Sequence, residues 1–149
     1  MSKKHTETID SKLKTAWQVV SRMYNAEAVL HDATLAMGHF LLNVDSHEGS
    51  YASDIAPALG MESTSLSRII QSLEEKKLLQ RIPDTKDGRK IKIMLTKKGI
   101  AQKEVAKNTI RNFNHIVELK IGKEKLCDFF KTIDGIIELA EERNKLIKQ

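Results

Sequence analysis

Between residues 78 and 96 the spacing of apolar side chains changes from helical to alternating and back again, and few small folds accommodate that change. Upstream, Leu66, Ile69, Ile70, Leu73 and Leu78 recur on one helical stripe. Downstream, "LLQRIP" and "IKIML" are short runs rich in β-branched residues. In the second, Ile91, Ile93 and Leu95 alternate with Lys92 and Met94, the pattern of a strand with one buried face. The linking "DTKDGRK" carries Asp87-Gly88, a turn signal. A β-hairpin therefore follows directly on a helix, and a lone hairpin is marginal until its apolar face packs on something else.

The rest of the chain reads as helix. Ile9, Leu13, Ala16, Trp17, Val20, Met23, Tyr24 and Leu30 place an amphipathic helix over 9–31, with Asp10 and Ser11 as start signals. "TLAMGHFLLNVD" (34–45) reads as a helix buried on more than one side, ending before the "SHEGS" loop. "YASDIAPALG" reads as a short helix closed by Gly60, then a helix over 63–76 with Glu62 and Ser63 at its cap. Two short helices joined at a glycine turn are the sequence form of a helix-turn-helix. Pro57 removes a hydrogen bond at ~3 kcal/mol in a helix interior, so the first of the two is expected to start late, bend or turn 3₁₀. Thr96 caps a helix over 97–119, Gly122 ends it, and a last helix spans 123–147. Gly38 and Gly135, inside helices, suggest close backbone approach. The expected class is mainly α with a small β-hairpin (α+β), as one domain over 1–149.

Charge separates the segments more sharply than the total does. The chain carries a net +5, with a pI near 9.3. Residues 81–99 alone hold seven basic side chains against Asp84 and Asp87. The basic excess is a patch, and it points to a polyanionic partner. A single cysteine excludes an intrachain disulfide. No apolar run reaches the roughly 18 residues of a membrane span. The opening "MSKKHTETIDSKLK" lacks the apolar core of a secretory signal. A soluble protein of a bacterial-type cytoplasm, with no membrane partner, is expected.

A helix laid in the major groove needs small hydrogen-bonding side chains in its first turns, where they reach base edges and phosphates. "STSLSR" offers Ser63, Thr64, Ser65, Ser67 and Arg68, and the arginine can pair bidentately with guanine. A neighbouring hairpin tip bearing Lys86, Arg89 and Lys90 beside Asp87 can enter the narrower, more negative minor groove. Taken singly, the serines read equally as caps and solvated surface. Arg68 reads as a surface side chain, and Asp87 with Arg89 as an ordinary turn ion pair.

The run "LGMESTSLSRIIQSLEEKKLLQRIPDTKDGRKIKIMLTKKG" resembles the winged helix-turn-helix core of the MarR family of bacterial transcription regulators. Asp87-Gly88-Arg89 followed by Leu95-Thr96 and Gly99 is its most specific part, and the resemblance covers about 35–99. It implies that the helix at 63–76 is the recognition helix, that Arg89 enters the minor groove, and that Asp87 holds Arg89 by a salt bridge. It also implies that the helices at about 9–31 and 97–147 pair two subunits on double-stranded DNA, giving a homodimer on a pseudo-palindromic operator. A small-molecule effector lodged between the dimer helices and the winged core would relieve repression. Family members often carry glycine where this chain has Lys77. A left-handed lysine there costs on the order of 1 kcal/mol. Glu62 stands where a serine cap is common; its charge suits the helix dipole and repels phosphate.

The remaining candidates are weaker. Trp17, Tyr24, Met37 and Phe40 read either as the lining of an effector pocket or as ordinary core. His39, Asp45, His47 and Glu48 lack the i, i+4 pairing of a metal site and read as surface polar residues, so no metal is expected. Cys127, at helical spacing with Phe130, reads as a small buried hydrophobe. His5, His31 and His115 are scattered. With no nucleophile–base pairing, phosphate-cradling glycine loop or zinc spacing, neither enzyme activity nor a cofactor is expected. The rival functions are a winged-helix dimer for protein–protein assembly, its basic hairpin on an acidic partner, and a nonspecific architectural DNA binder.

Overall fold

The computed structural model describes residues 7–148, so Lys3, Lys4 and His5 lie outside the described residues. The element order is α1 (Ile9–Val29), α2 (Leu35–Leu42), β1 (Ser50–Tyr51), α3 (Ala52–Leu59), α4 (Ser63–Glu75), β2 (Leu79–Pro83), β3 (Ile91–Leu95), α5 (Lys97–Ile121) and α6 (Lys123–Ile147). This is the expected class, α+β with a small sheet, and the helix-turn-helix and hairpin fall where the sequence placed them. The chain groups into two compact units, one reaching to Ile110 and the other starting at Arg111, with the division inside α5.

In the first unit the sheet order is β1-β3-β2, antiparallel throughout. Leu79 faces Leu95 and Pro83 faces Ile91 across the hairpin, while Ser50 and Tyr51 pair with Ile93 and Lys92. β1 was not expected; two residues are too few to carry a periodic signal. The core is drawn only from residues 33–95, and Phe40, Leu41, Ile55, Leu73, Leu79 and Ile93 are sealed from solvent. On α4 the buried positions are Leu66, Ile70 and Leu73, one stripe at i, i+4 and i+7. Ile91, expected on the buried face of β3, is 41% exposed because it lies at the turn end of the hairpin, past the core.

The helix ends follow local chemistry. α1 is capped by Thr8, whose Oγ1 accepts from the Ser11 N–H at 3.4 Å; the expected start signals Asp10 and Ser11 fall inside its first turn. Thr34 caps α2 by accepting from the Met37 N–H at 3.2 Å, and α2 ends at Leu42, three residues before the expected boundary. α3 starts at Ala52 and remains α-helical through Pro57, neither late nor 3₁₀. The proline forgoes one bond in a helix that Gly60 closes at φ 60°, with the Met61 N–H returning to the Ala56 carbonyl. Glu62 occupies the N-cap position of α4, but neither it nor Ser63 makes a side-chain cap bond.

The turn after α4 is the tightest junction. Lys77 is left-handed at φ 59°. Thr96 donates its N–H to the Leu78 carbonyl (3.1 Å) and its hydroxyl to the Lys77 carbonyl (2.7 Å), then accepts the Gly99 N–H (3.0 Å) as the expected cap of α5. A Cβ on Gly99 would lie 1.8 Å from the Leu78 carbonyl oxygen, so α5 can pass over this turn only with glycine there. By contrast, a Cβ on Gly38 would meet only the Ala106 Cβ at 3.7 Å, and one on Gly135 would meet nothing within 4 Å, so neither marks the close approach expected. Lys103 is buried, its ammonium donating to the Val44 carbonyl beyond the end of α2, where cations are favoured by the helix dipole.

α1 and α6 bury no residue within the chain. Ile9, Trp17, Val29 and Leu30 on or next to α1, and Phe129, Phe130, Ile137, Leu139 and Ile147 on α6, stay largely exposed. Cys127 is exposed too, a correction to the buried position expected, because α6 packs no apolar side chain to full burial within one chain.

Two substitutions test the junction. Gly99→Ala should lower stability by about 1–3 kcal/mol or more, whereas Lys77→Gly should raise it by about 1 kcal/mol by relieving the left-handed lysine. Denaturant midpoints of the two variants moving in the same direction would contradict this account.

Candidate nucleic-acid interface

α2 and β2 pack behind α4, and the stripe Leu66, Ile70 and Leu73 turns the opposite side of α4 outward. Ser63, Thr64, Ser65, Ser67 and Arg68 are all exposed, as expected for a face presented to a partner. With no side chain capping α4, the first-turn N–H groups and the positive end of the helix dipole stay available to an anion. Ser67 is partly engaged, its Oγ donating to the Ser63 carbonyl at 2.9 Å. Among the described residues Arg68 is in no ion pair. Gln71, one turn after Ser67 and exposed, extends the same face and bonds to Glu75 at 3.1 Å. Sequence reasoning missed it, although its i+4 spacing from Ser67 and its capacity to pair with adenine were readable.

The hairpin tip is organised by its two acids. Asp84 closes the last rung by giving its N–H to the Lys90 carbonyl at 3.0 Å, and its Oδ1 accepts the Lys86 N–H at 3.1 Å. Asp87 Oδ1 accepts the Arg89 N–H at 3.1 Å, and the Asp87 carbonyl accepts the Lys90 N–H at 3.0 Å. The salt bridge between Asp87 and the Arg89 guanidinium is therefore not formed. In a tight turn the short Asp side chain closes on the N–H two residues ahead. Lys86 and Arg89 enter no ion pair among the described residues, and all four tip residues Lys86, Asp87, Arg89 and Lys90 are exposed.

Tyr51 props the hairpin from β1, a role that went unread because β1 itself did. The ammoniums of Lys90 and Lys92 stand 5.6 and 5.8 Å from its ring centroid. Its hydroxyl donates to Asp84 Oδ2 at 3.3 Å, and the Asp84 carboxylate raises the phenol pKa.

A separate cavity of about 50 Å³ lies among α1, α2 and the first half of α5. Of the four expected pocket residues only Tyr24 lines it, and burial raises its pKa. Met37 and Phe40 belong to the core instead. Trp17 is 55% exposed and stacks on His39, with ring centroids 6.3 Å apart. The wall is mostly apolar, with His31, His39 and Gln102 among its polar members, none of which was expected in the pocket. The two imidazoles, 8 positions apart, share this wall only because α1 and α2 fold together. At the loop after α2, Asp45 Oδ1 accepts the His47 and Glu48 N–H groups at 2.8 Å each, which lowers its pKa; no metal-binding group of side chains occurs among the described residues.

A helix-turn-helix followed by a basic β-hairpin beside the second helix defines a winged helix-turn-helix protein. Residues 34–91 match the model of the MarR family, so over this segment the chain is similar to that family. No curated protein sequence matches the chain. Among solved structures, it is similar to that of the S. aureus MepR–DNA complex at 22% identity, over 90% of this chain and 99% of that one, with a TM-score of 0.81. It is also similar to the transcriptional regulator SlyA at 16% identity, over 95% and 99% of the two chains, again with a TM-score of 0.81. At these identities the likeness is one of fold. Among the described residues no helix is long and apolar enough to cross a membrane.

Tyr51→Leu removes both the ring under the lysines and the hydroxyl on Asp84. Amide hydrogen exchange at Lys86 and Arg89 is expected to speed up severalfold while exchange in α4 stays unchanged. Unaltered exchange at the tip would remove Tyr51 from its support.

Proposed function

We propose that the chain is a sequence-specific DNA-binding transcriptional regulator that works as a homodimer on a pseudo-palindromic operator. The observation that carries this is the pairing of an exposed, uncapped α4 start with a hairpin tip whose acids are engaged by its own main chain. The tip cations Lys86, Arg89 and Lys90 are thereby left for phosphates and the minor groove, and Ser63, Thr64, Ser65, Ser67 and Arg68 for the major groove. The exposed apolar side chains of α1, and separately those of α6, support the dimer, since large exposed apolar surface marks an interface. Two recognition helices related by a twofold axis then read half-sites about one turn apart, ~10 bp.

In this reading the protein is a repressor, and a small molecule entering beside Tyr24, His31 and His39 releases it. The cavity at about 50 Å³ is far below the roughly 300–1,000 Å³ of a drug-sized site, so the effector must widen it. Such a ligand shifts the equilibrium only by its preference for the widened state.

Selection of duplexes from a random library at near-physiological salt should enrich one inverted repeat; enrichment of a single unpaired half-site would overturn the dimeric reading. Arg89→Ala should weaken binding to all sequences and flatten the salt slope by about one. Arg68→Ala should instead relax preference at one base pair by about 1–3 kcal/mol. Binding without any preference would make the protein an architectural binder. Failure to bind duplex at all would hand the basic wing to a protein partner.

A further inference from the structure

The basic side chains of the winged unit form two groups at opposite ends of the hairpin. Lys86, Arg89 and Lys90 lie past the Pro83–Ile91 rung, at the tip. Lys76, Lys77, Lys97 and Lys98 lie past the Leu79–Leu95 rung, at the base, with Arg81 partway along β2. Four strand steps separate the two rungs, roughly 13 Å. The 13 residues of α4 hold the basal group about 18–20 Å from Ser63. From the DNA-binding reading the inference takes only the direction of the duplex: against the start of α4 and the wing tip, it leaves the basal group uncovered.

The base has the features of a docking site. β2 is an edge strand, since the sheet order is β1-β3-β2. The Thr96 N–H to Leu78 carbonyl bond and the Asp84 N–H to Lys90 carbonyl bond fix the parity of the ladder. Gln80 and Ile82 therefore bond inward to β3, and the N–H and C=O groups of Leu79 and Arg81 point to the open edge. A groove runs along this edge from Lys77 to Ile82, and Ile82 is 43% exposed in it. Pro83 has no N–H and ends any added pairing there.

The charge around the groove favours carboxylates. Asp32, in a separate depression beside α4's end, takes up Lys76, accepting from its Nζ at 2.6 Å. That hydrogen bond, then the charges of Lys76 and Lys98, hold its carboxyl below the usual range. Glu74 occupies Arg81 at 2.8 Å, and Lys98 donates to the Lys76 carbonyl at 3.2 Å. Lys77 and Lys97 enter no ion pair among the described residues, and both are exposed. Lys77 holds its ammonium there from a left-handed backbone, where glycine would be unstrained.

We propose that the base of the wing docks an extended acidic segment of another protein, which pairs along the β2 edge and sets its carboxylates against Lys77 and Lys97. The β2 edge supplies main-chain hydrogen bonds for affinity, Ile82 an apolar contact, and the lysines the preference for acidic sequence. DNA and this partner would then be held at the same time, at opposite ends of one hairpin.

The test uses a synthetic ten-residue peptide alternating Glu and Val, with a Lys-for-Glu counterpart, titrated into the ¹⁵N-labelled full chain with and without duplex DNA. The acidic peptide should shift amides at 77–82 and 96–98 in both states, and the basic peptide should not. The Lys77→Gly, Lys97→Gln double variant should bind the acidic peptide at least tenfold more weakly while keeping duplex affinity within twofold. Glycine retains the left-handed turn, so the variant is expected to fold. Shifts confined to 86–90, or equal peptide affinity in the variant, would overturn the proposal. So would a duplex salt slope lower by about two in the variant, which would place DNA on the base. Failure of the unaltered chain to bind duplex would count against the regulator reading alone and leave the peptide result intact.

Discussion

The Leu78 carbonyl is the point on which the winged unit turns. It accepts the Thr96 N–H, and Gly99 passes over it where any side chain would collide. Thr96 also holds the Lys77 carbonyl and caps α5. Within these few residues α4 ends, β2 begins, β3 ends and α5 begins, while Leu78, Leu79 and Leu95 are buried beneath them. Because packed interiors repack in discrete steps and do not stretch, α4 and the hairpin behave as one piece. In the proposed reading α4 and the wing meet one duplex, which requires their spacing to be fixed, and this junction fixes it.

The distribution of acids supports the same reading. Asp84 and Asp87 lie among the tip cations, yet their carboxylates bind main-chain N–H groups and the Tyr51 hydroxyl. Asp45 does likewise in the loop after α2. The acids shape the loops, while Lys90 rests over the Tyr51 ring and, among the described residues, Lys86 and Arg89 enter no ion pair. A surface built this way raises the local concentration of a polyanion before any specific contact forms. Glu62 runs against the pattern, an acid at the start of α4 with no cap bond to engage it. Its charge favours the helix dipole and opposes a phosphate at the same N-terminus.

Most of the fold was legible because it rests on periodicity. The stripe of Leu66, Ile70 and Leu73, the alternation through Ile93 and Leu95, and the glycine at 60 each state their element locally. α6 was bounded to the residue because Gly122 breaks the chain before it. What escaped was non-local or too short. β1 is two residues, and with it went the role of Tyr51 under Lys90 and Lys92. The ring of Phe40 and the thioether of Met37 look the same in sequence whether they line a pocket or fill a core, and only packing decides. Cys127 looked buried because helical spacing shows which residues share a face, not whether anything covers it. Asp87 and Arg89 suggested an ion pair, but a turn brings a side chain to the nearby N–H first.

A small-molecule effector of the proposed kind would act through the same contacts. A cavity of about 50 Å³ is far smaller than a drug-sized site, so an effector of that size would have to part α1, α2 and the first half of α5. Those elements are not free to part independently. Gln102 of α5 donates to the His31 carbonyl at 3.4 Å, and Lys103 ties α5 to the Val44 carbonyl just past α2. The loop that follows Val44 leads into β1, which pairs with β3 of the hairpin. On the other side, α5 begins at Thr96, on the carbonyls that end α4. Movement of α5 away from α2 therefore acts on the wing through β1 and on the recognition helix through the Thr96 junction. Lys103 is central to this, because a buried ammonium cannot leave its carbonyl without another acceptor. The separation must either break that bond at considerable cost or carry the end of α2 along with α5, and the second course moves the wing.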